Sequence, residues 1–200
     1  MILRSAAASP FVRKVRIAAN ILGLDGRITV ETADTVNPAD TVRQQNPLGK
    51  IPALVLDDGM VLFDSRVILE YLDHLAGGGR IVPTEAAARF AALRLQALAD
   101  GLMDASILLI YEGRWRDPAK HEQKWVEHQA GKVARTLASL EAAPPALDTP
   151  PTVGQIALAC ALGYQDFRFQ GTWRKDHPRL VAYLDAFAAA VPAFAATKPP

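Results

Sequence analysis

A single cysteine, Cys160, stands in a chain of 200 residues, so no internal disulfide can form, and a reducing compartment fits that count. Long apolar runs are missing as well. None approaches the roughly 20 residues that a membrane-spanning helix needs. Only Met1–Leu3 precede Arg4, so the start lacks the apolar stretch of a signal peptide, although Ala6–Ala8 imitates a cleavage site. The expectation is a soluble, cytoplasmic protein with no membrane partner. Charge of one sign is scarce too: 22 Lys and Arg against 21 Asp and Glu leave a net charge of +1. The two signs are interspersed, with no basic stripe for nucleic acid and no acidic tail. The four histidines, His74, His121, His128 and His177, show no metal-ligand spacing with acids or with Cys160, and no metal is expected. Hydrophobic residues, by contrast, make up half of the chain, enough for one sizeable core or two small ones.

Strand and helix signals alternate in the first part. Met1–Leu3 reads as a short apolar strand. Ser9-Pro10 reads as the N-cap and first position of a helix, because a serine oxygen accepts a backbone N–H and proline has none to leave unpaired. Phe11, Val12, Val15, Ala18, Ala19 and Leu22 keep helical spacing and Gly23 ends it. Residues 27–32 alternate as a strand, and the Asn37–Asp40 loop leads into a short helix. Two strands, 53–56 and 60–63, flank the turn residues Asp57-Asp58-Gly59. Asp64-Ser65 then opens a helix whose apolar face is Val67, Ile68, Tyr71, Leu72 and Leu75, stopped by Gly77-Gly78-Gly79. Beyond Glu85 only helical patterns remain, near 86–112, 118–141, 152–168 and 177–191, and Lys198-Pro-Pro reads as a fraying tail. The fold class is therefore α/β plus all-α. A βαβαββα domain over 1–78, a linker over 79–85 and an all-helical domain over 86–200 are expected.

Four pieces in this order resemble one family: SPFVRK at 9–14, NPLGKIPAL at 46–54, FDSRVILEYL at 63–72 and TVGQIALACAL at 152–162. The order is that of a thioredoxin-like unit followed by a helical domain. With the motifs, the chain looks like a cytosolic glutathione S-transferase of the bacterial kind, over essentially its full length. The resemblance implies glutathione as co-substrate, a small electrophile as second substrate, and a homodimer.

What the resemblance implies residue by residue can be set beside a plainer reading each time. Ile51-Pro52 is either a strand start or, as in the family, a cis bond that presents the Ile51 main chain to the cysteinyl part of glutathione. Asp64 and Ser65 are favoured helix caps. In similar proteins they also receive the γ-glutamyl end, Ser65 the carboxylate and Asp64 the ammonium. Lys50 is either solvated or reaches the glycine carboxylate. Ser9 holds the position next to the glutathione sulfur, which makes it the candidate catalytic residue. There it either only caps its helix or also donates its O–H to the thiolate. Arg13 and Lys14 are expected to be solvated. Asp100 and Asp104 form either a solvated acidic face or carboxylates reaching the ammonium of glutathione in a partner subunit. Phe11, Ile107, Tyr111 and Trp115 are either core or the wall of a second-substrate pocket.

Two departures from the family pattern stand out. No cysteine lies near Ser9, which argues against glutaredoxin-like thiol exchange through a mixed disulfide. Gln155 occupies the fourth position of a capping box from Thr152, where similar proteins carry Asp. Rival readings from other classes are a protein that binds glutathione or apolar ligands without turnover, and a structural or regulatory member of the fold. A glutathione-dependent lyase, dehalogenase or isomerase would share the same glutathione half.

Overall fold

In the computed structural model, which describes residues 1–200, four short strands carry the first part of the chain. They are β1 (Ile2–Ser5), β2 (Thr29–Thr32), β3 (Ala53–Val55) and β4 (Val61–Leu62). Their order in the sheet is β2-β1-β3-β4. β1 runs parallel to β2, which needs a helical crossover, while β3 runs antiparallel to both β1 and β4. The crossover is α1 (Pro10–Ile21), opened by Ser9 and Pro10. Next come α2 (Val42–Gln45), and α3 (Ser65–Leu75) with Asp64 as its N-cap.

β1 reaches two residues further than the apolar start suggests, because Arg4 is buried inside. Its guanidinium meets Thr41 Oγ1 at 2.9 Å, Gln45 Oε1 at 3.0 Å and Asp40 Oδ1 at 3.1 Å. An arginine held in a carboxylate and two neutral acceptors is a favourable buried cation. It ties the segment before Asn46 to the sheet, and thereby fixes where the Asn46–Lys50 turn begins.

The helical part comprises α4 (Ala86–Trp115), α5 (Gln123–Ala142), α6 (Val153–Phe169), α7 (Pro178–Ala190) and α8 (Pro192–Ala196). α4 runs three residues past the expected end. The helix expected over 177–191 is α7, which ends at Ala190 because Pro192 offers no N–H and pushes Val191 out of the helical region; the unexpected α8 follows. The Thr152 N–H donates to Gln155 Oε1 at 2.9 Å, so glutamine keeps the reciprocal half of the box. Gly154 is required by closeness: a Cβ there would stand 2.5 Å from the Ala92 carbonyl oxygen of α4.

The segment joining α3 to α4 is pinned to the body. The Asp73 carboxylate accepts N–H groups from Gly79, Arg80 and Ile81 at 2.7–2.9 Å, and the Ile81 carbonyl accepts from Val153 N at 2.8 Å. Ile81 and Val82 are buried. One apolar cluster runs without a break from Leu3, Leu54 and Leu72 through Ile81 to Ile156, Leu162 and Phe187. The sheet part and the helical part thus share a core, and the cleft between them has rigid walls.

Candidate active site

The cleft is a cavity of about 470 Å³ between the two parts. On the sheet side Ser9, Phe11, Thr35, Lys50 and Ile51 line it; on the helical side Asp104, Ile107, Tyr111, Arg114, Tyr164 and Arg168 do. A smaller hollow of about 220 Å³ lies elsewhere, between α1, β2 and α8, and contains no residue of the four motifs.

Ser9 sits half-buried at the start of α1, and its Oγ accepts the Val12 N–H at 3.3 Å. That long cap bond uses one lone pair and leaves the O–H free to donate. Behind Ser9, the expectation that Arg13 and Lys14 are solvated is overturned. Arg13 is buried, donates to the Phe194 carbonyl at 2.5 Å and lies over the Phe194 ring at 3.9 Å. Gly163 makes room for it, since a Cβ there would meet Arg13 Nη1 at 2.5 Å. Lys14 is wholly buried, its Nζ 2.7 Å from Asp100 Oδ1.

Asp100 corrects a second expectation. It is neither a solvated acid nor free to reach another subunit: it is 0% exposed, and its second oxygen accepts from Arg66 Nε at 2.7 Å. The hydrogen bond to Asp100 is also what raises the Arg66 guanidinium above its ordinary value. Lys14, Asp100 and Arg66 thus join α1, α4 and α3 beneath the cleft. Asp104, one turn further along α4, is the carboxylate that opens to the cavity of its own chain. The surrounding wall displaces water from it and Asp100 repels its charge, so its carboxyl lies above the ordinary range; Arg66 and Lys50 pull the other way.

The Ile51–Pro52 bond is cis, as are Phe63–Asp64 and Thr149–Pro150. The β1–β3 ladder begins at Ala53, so the Ile51 main chain stays out of the sheet. Asn46 braces the turn before it, donating to the Lys50 carbonyl at 2.9 Å and accepting from Leu48 N at 3.0 Å. Asp64 Oδ1 accepts the Arg66 N–H at 2.9 Å, and Ser65 is buried beside it at the positive end of α3. Pro52, Asp64 and Ser65 are not among the residues that line the cavity; Asp64 is exposed and near enough to act on Asp104.

Trp115 is corrected outright: it is 60% exposed and lies outside the cavity. Phe11, Ile107 and Tyr111 do line it. The sequence reading missed Arg114, Tyr164 and Arg168. The signal was present as helical spacing, Arg114 lying three residues after Tyr111, and Arg168 four after Tyr164 on α6. No group of three or more His, Cys, Asp and Glu side chains comes together that could hold a metal ion, and no helix is long and apolar enough to cross a membrane.

Residues 8–75 match the model of the glutathione S-transferase N-terminal domain, and residues 123–186 that of the C-terminal domain. An uncharacterised GST-like protein of Escherichia coli (strain K12), YibF, is 35% identical over 96% of this chain and 95% of its own. A glutathione transferase family member from Pseudomonas fluorescens Pf-5, solved with bound glutathione, superposes with a TM-score of 0.92 at 44% identity, covering 100% of this chain and 98% of that one. A second structure of a family member from that strain, solved with bound S-(propanoic acid)-glutathione, gives a TM-score of 0.87 at 43% identity, with both chains covered in full. The chain belongs to the glutathione S-transferase family.

Proposed function

We propose that the protein is a glutathione transferase, which holds glutathione along the cleft, stabilises its thiolate beside Ser9 and conjugates it to a small electrophile on the helical side. The observation that carries this reading is the meeting of Ser9, Lys50 and Ile51 with Asp104, Ile107 and Tyr111 around one cavity. The glutathione found in the Pseudomonas relative supports it.

In this reading each residue has a physical task. The Lys50 ammonium meets the glycine carboxylate. Ile51, kept out of the ladder and turned by Pro52, pairs its main chain with the cysteinyl backbone. Ser65, at the positive end of α3, takes the γ-glutamyl carboxylate, while Asp64 and Asp104 face its ammonium. The sulfur then lies at the start of α1. A thiol near a helix N-terminus falls from about 8.5 to between about 3.5 and 7.5, and each unit is worth about 1.4 kcal/mol of preference for the thiolate. Ser9 adds one O–H donor. Phe11, Ile107 and Tyr111 hold the electrophile against that sulfur, and the chain supplies neither a nucleophile nor a metal.

Two copies would pair through the outer faces of α3 and α4, where Val67 is 47% and Phe90 69% exposed. An exposed ion pair, Arg89–Glu70 at 3.1 Å, links the two helices.

Ser9→Ala tests the reading. Removing one preorganised donor to a developing anion is expected to lower kcat by about a hundredfold. The affinity for glutathione, measured by calorimetry, is expected to stay within about threefold, because the interaction strengthens as the thiolate forms. One observation favours binding without turnover: Ser9 already serves as a cap. A wild type that binds glutathione but turns over no electrophile would select that second reading, while an unchanged kcat in Ser9→Ala would reduce Ser9 to a cap.

A further inference from the structure

Glutathione, held as proposed above, leaves two cations of the cleft without a partner. Arg114, in the last turn of α4, and Arg168, in the last turn of α6, both face the cavity that Ser9 lines. Neither takes part in any ion pair of the chain. Asp104 is the one carboxylate among the lining residues, set against Lys50, Arg114 and Arg168. Arg168 Nε is moreover buried with no hydrogen-bond partner, and an orphaned charged donor is costly unless something completes it.

Both guanidinium groups are held by aromatic faces. Arg168 lies 4.3 Å from the Phe167 ring centroid and 5.9 Å from that of Tyr164, and Arg114 lies 5.2 Å from that of Tyr111. Stacking occupies the flat face of a guanidinium and leaves its N–H edge for a planar anion. Tyr164 joins the two: burial raises its hydroxyl above the ordinary range, and both arginines oppose that rise. It therefore stays a neutral O–H donor beside them.

We infer that the electrophile carries a carboxylate, gripped by Arg114 and Arg168, and we take the α,β-unsaturated carboxylates as its class because S-(propanoic acid)-glutathione, bound in a Pseudomonas relative, is the thioether that such an addition gives. The inference rests on the proposed transferase reading. In water a conjugated carboxylate is a poor acceptor, because its charge both repels a thiolate and feeds electrons into the double bond. Two guanidiniums withdraw that charge and are aimed where more of it develops. The sulfur forms a bond to the β-carbon, and the π pair moves onto the α-carbon and carboxylate. The α-carbon then takes a proton, which balances the one the thiol lost. The product is a saturated thioether acid, and no further reactant is needed.

Acrylate and acrylamide form a matched pair that differs in charge alone. The test is the ratio of their kcat/KM values with glutathione, in wild type, Arg168→Gln, Arg114→Gln and the double variant, with glutathione affinity measured alongside. The expected result is a ratio that falls by about ten- to a hundredfold in each single variant, the worth of one charge-assisted hydrogen bond, and further in the double variant. Arg114 is exposed, so its variant keeps the test independent of folding. A ratio unchanged by the substitutions overturns the inference. So does a wild type that binds glutathione and conjugates acrylamide but not acrylate, which leaves the transferase reading standing. Conjugation of neither, with no glutathione binding, overturns both.

Discussion

Cys160 lies fully buried in α6, and burial pushes its thiol up to about 12, against the pull of Arg13 and Lys14. At neutral pH it is a small apolar side chain with almost no thiolate to react. Alkylation by iodoacetamide at mildly alkaline pH is therefore expected to leave the folded protein unlabelled and to label the denatured chain fully. Rapid labelling of the folded chain would contradict the burial. The neighbouring cations show where reading a sequence reaches its limit. Arg13 and Lys14 look like solvated residues on a helix because their partners lie far off along the chain: Asp100 is 86 positions from Lys14, and Phe194 is 181 from Arg13. Ser9 and Asp64 were legible because a cap is made with a backbone group two or three residues away. Arg114 and Arg168 were less legible, because their spacing from Tyr111 and Tyr164 places them on one helix face without saying what that face meets.

α1, α3 and α4 meet through the Lys14–Asp100–Arg66 cluster, which makes that junction electrostatic. Removing one member of a buried pair leaves an uncompensated charge, usually at about 3–5 kcal/mol. Asp100→Ala is expected to lose stability of that order in denaturant unfolding, mostly through the orphaned Lys14 ammonium. A loss below about 1 kcal/mol, the range of surface pairs, would mean that Lys14 turns out to solvent. Most elements were legible, since the turn at Asp57–Gly59, the caps and the periodic stripes are local signals. Two features were not. The short helix α8 beyond Val191 was hidden because five residues carry too little periodicity to show. Trp115 falls on the stripe of Tyr111, yet it is the last residue of α4 and is 60% exposed.

The two parts of the chain act together: the sheet part brings Ser9, Lys50 and Ile51, the helical part brings Asp104 and the arginines, and the shared core fixes the gap between them. The same rigid frame presents Val67 and Phe90 outward. In the proposed dimer these two side chains would lie in the contact between copies. Light scattering is expected to give a dimer for the wild type and a monomer for Phe90→Glu, with no change in the circular dichroism of the helices. A wild-type monomer would remove pairing from the account. The central claim is that the start of α1 and the Ser9 hydroxyl favour the thiolate of bound glutathione. The most direct measurement is a pH titration of thiolate ultraviolet absorbance in the glutathione complex, for wild type and Ser9→Ala. The account predicts a wild-type midpoint well below that of free glutathione, moving back up by about one unit or more in the variant, each unit being about 1.4 kcal/mol. A wild-type midpoint equal to that of free glutathione would contradict it.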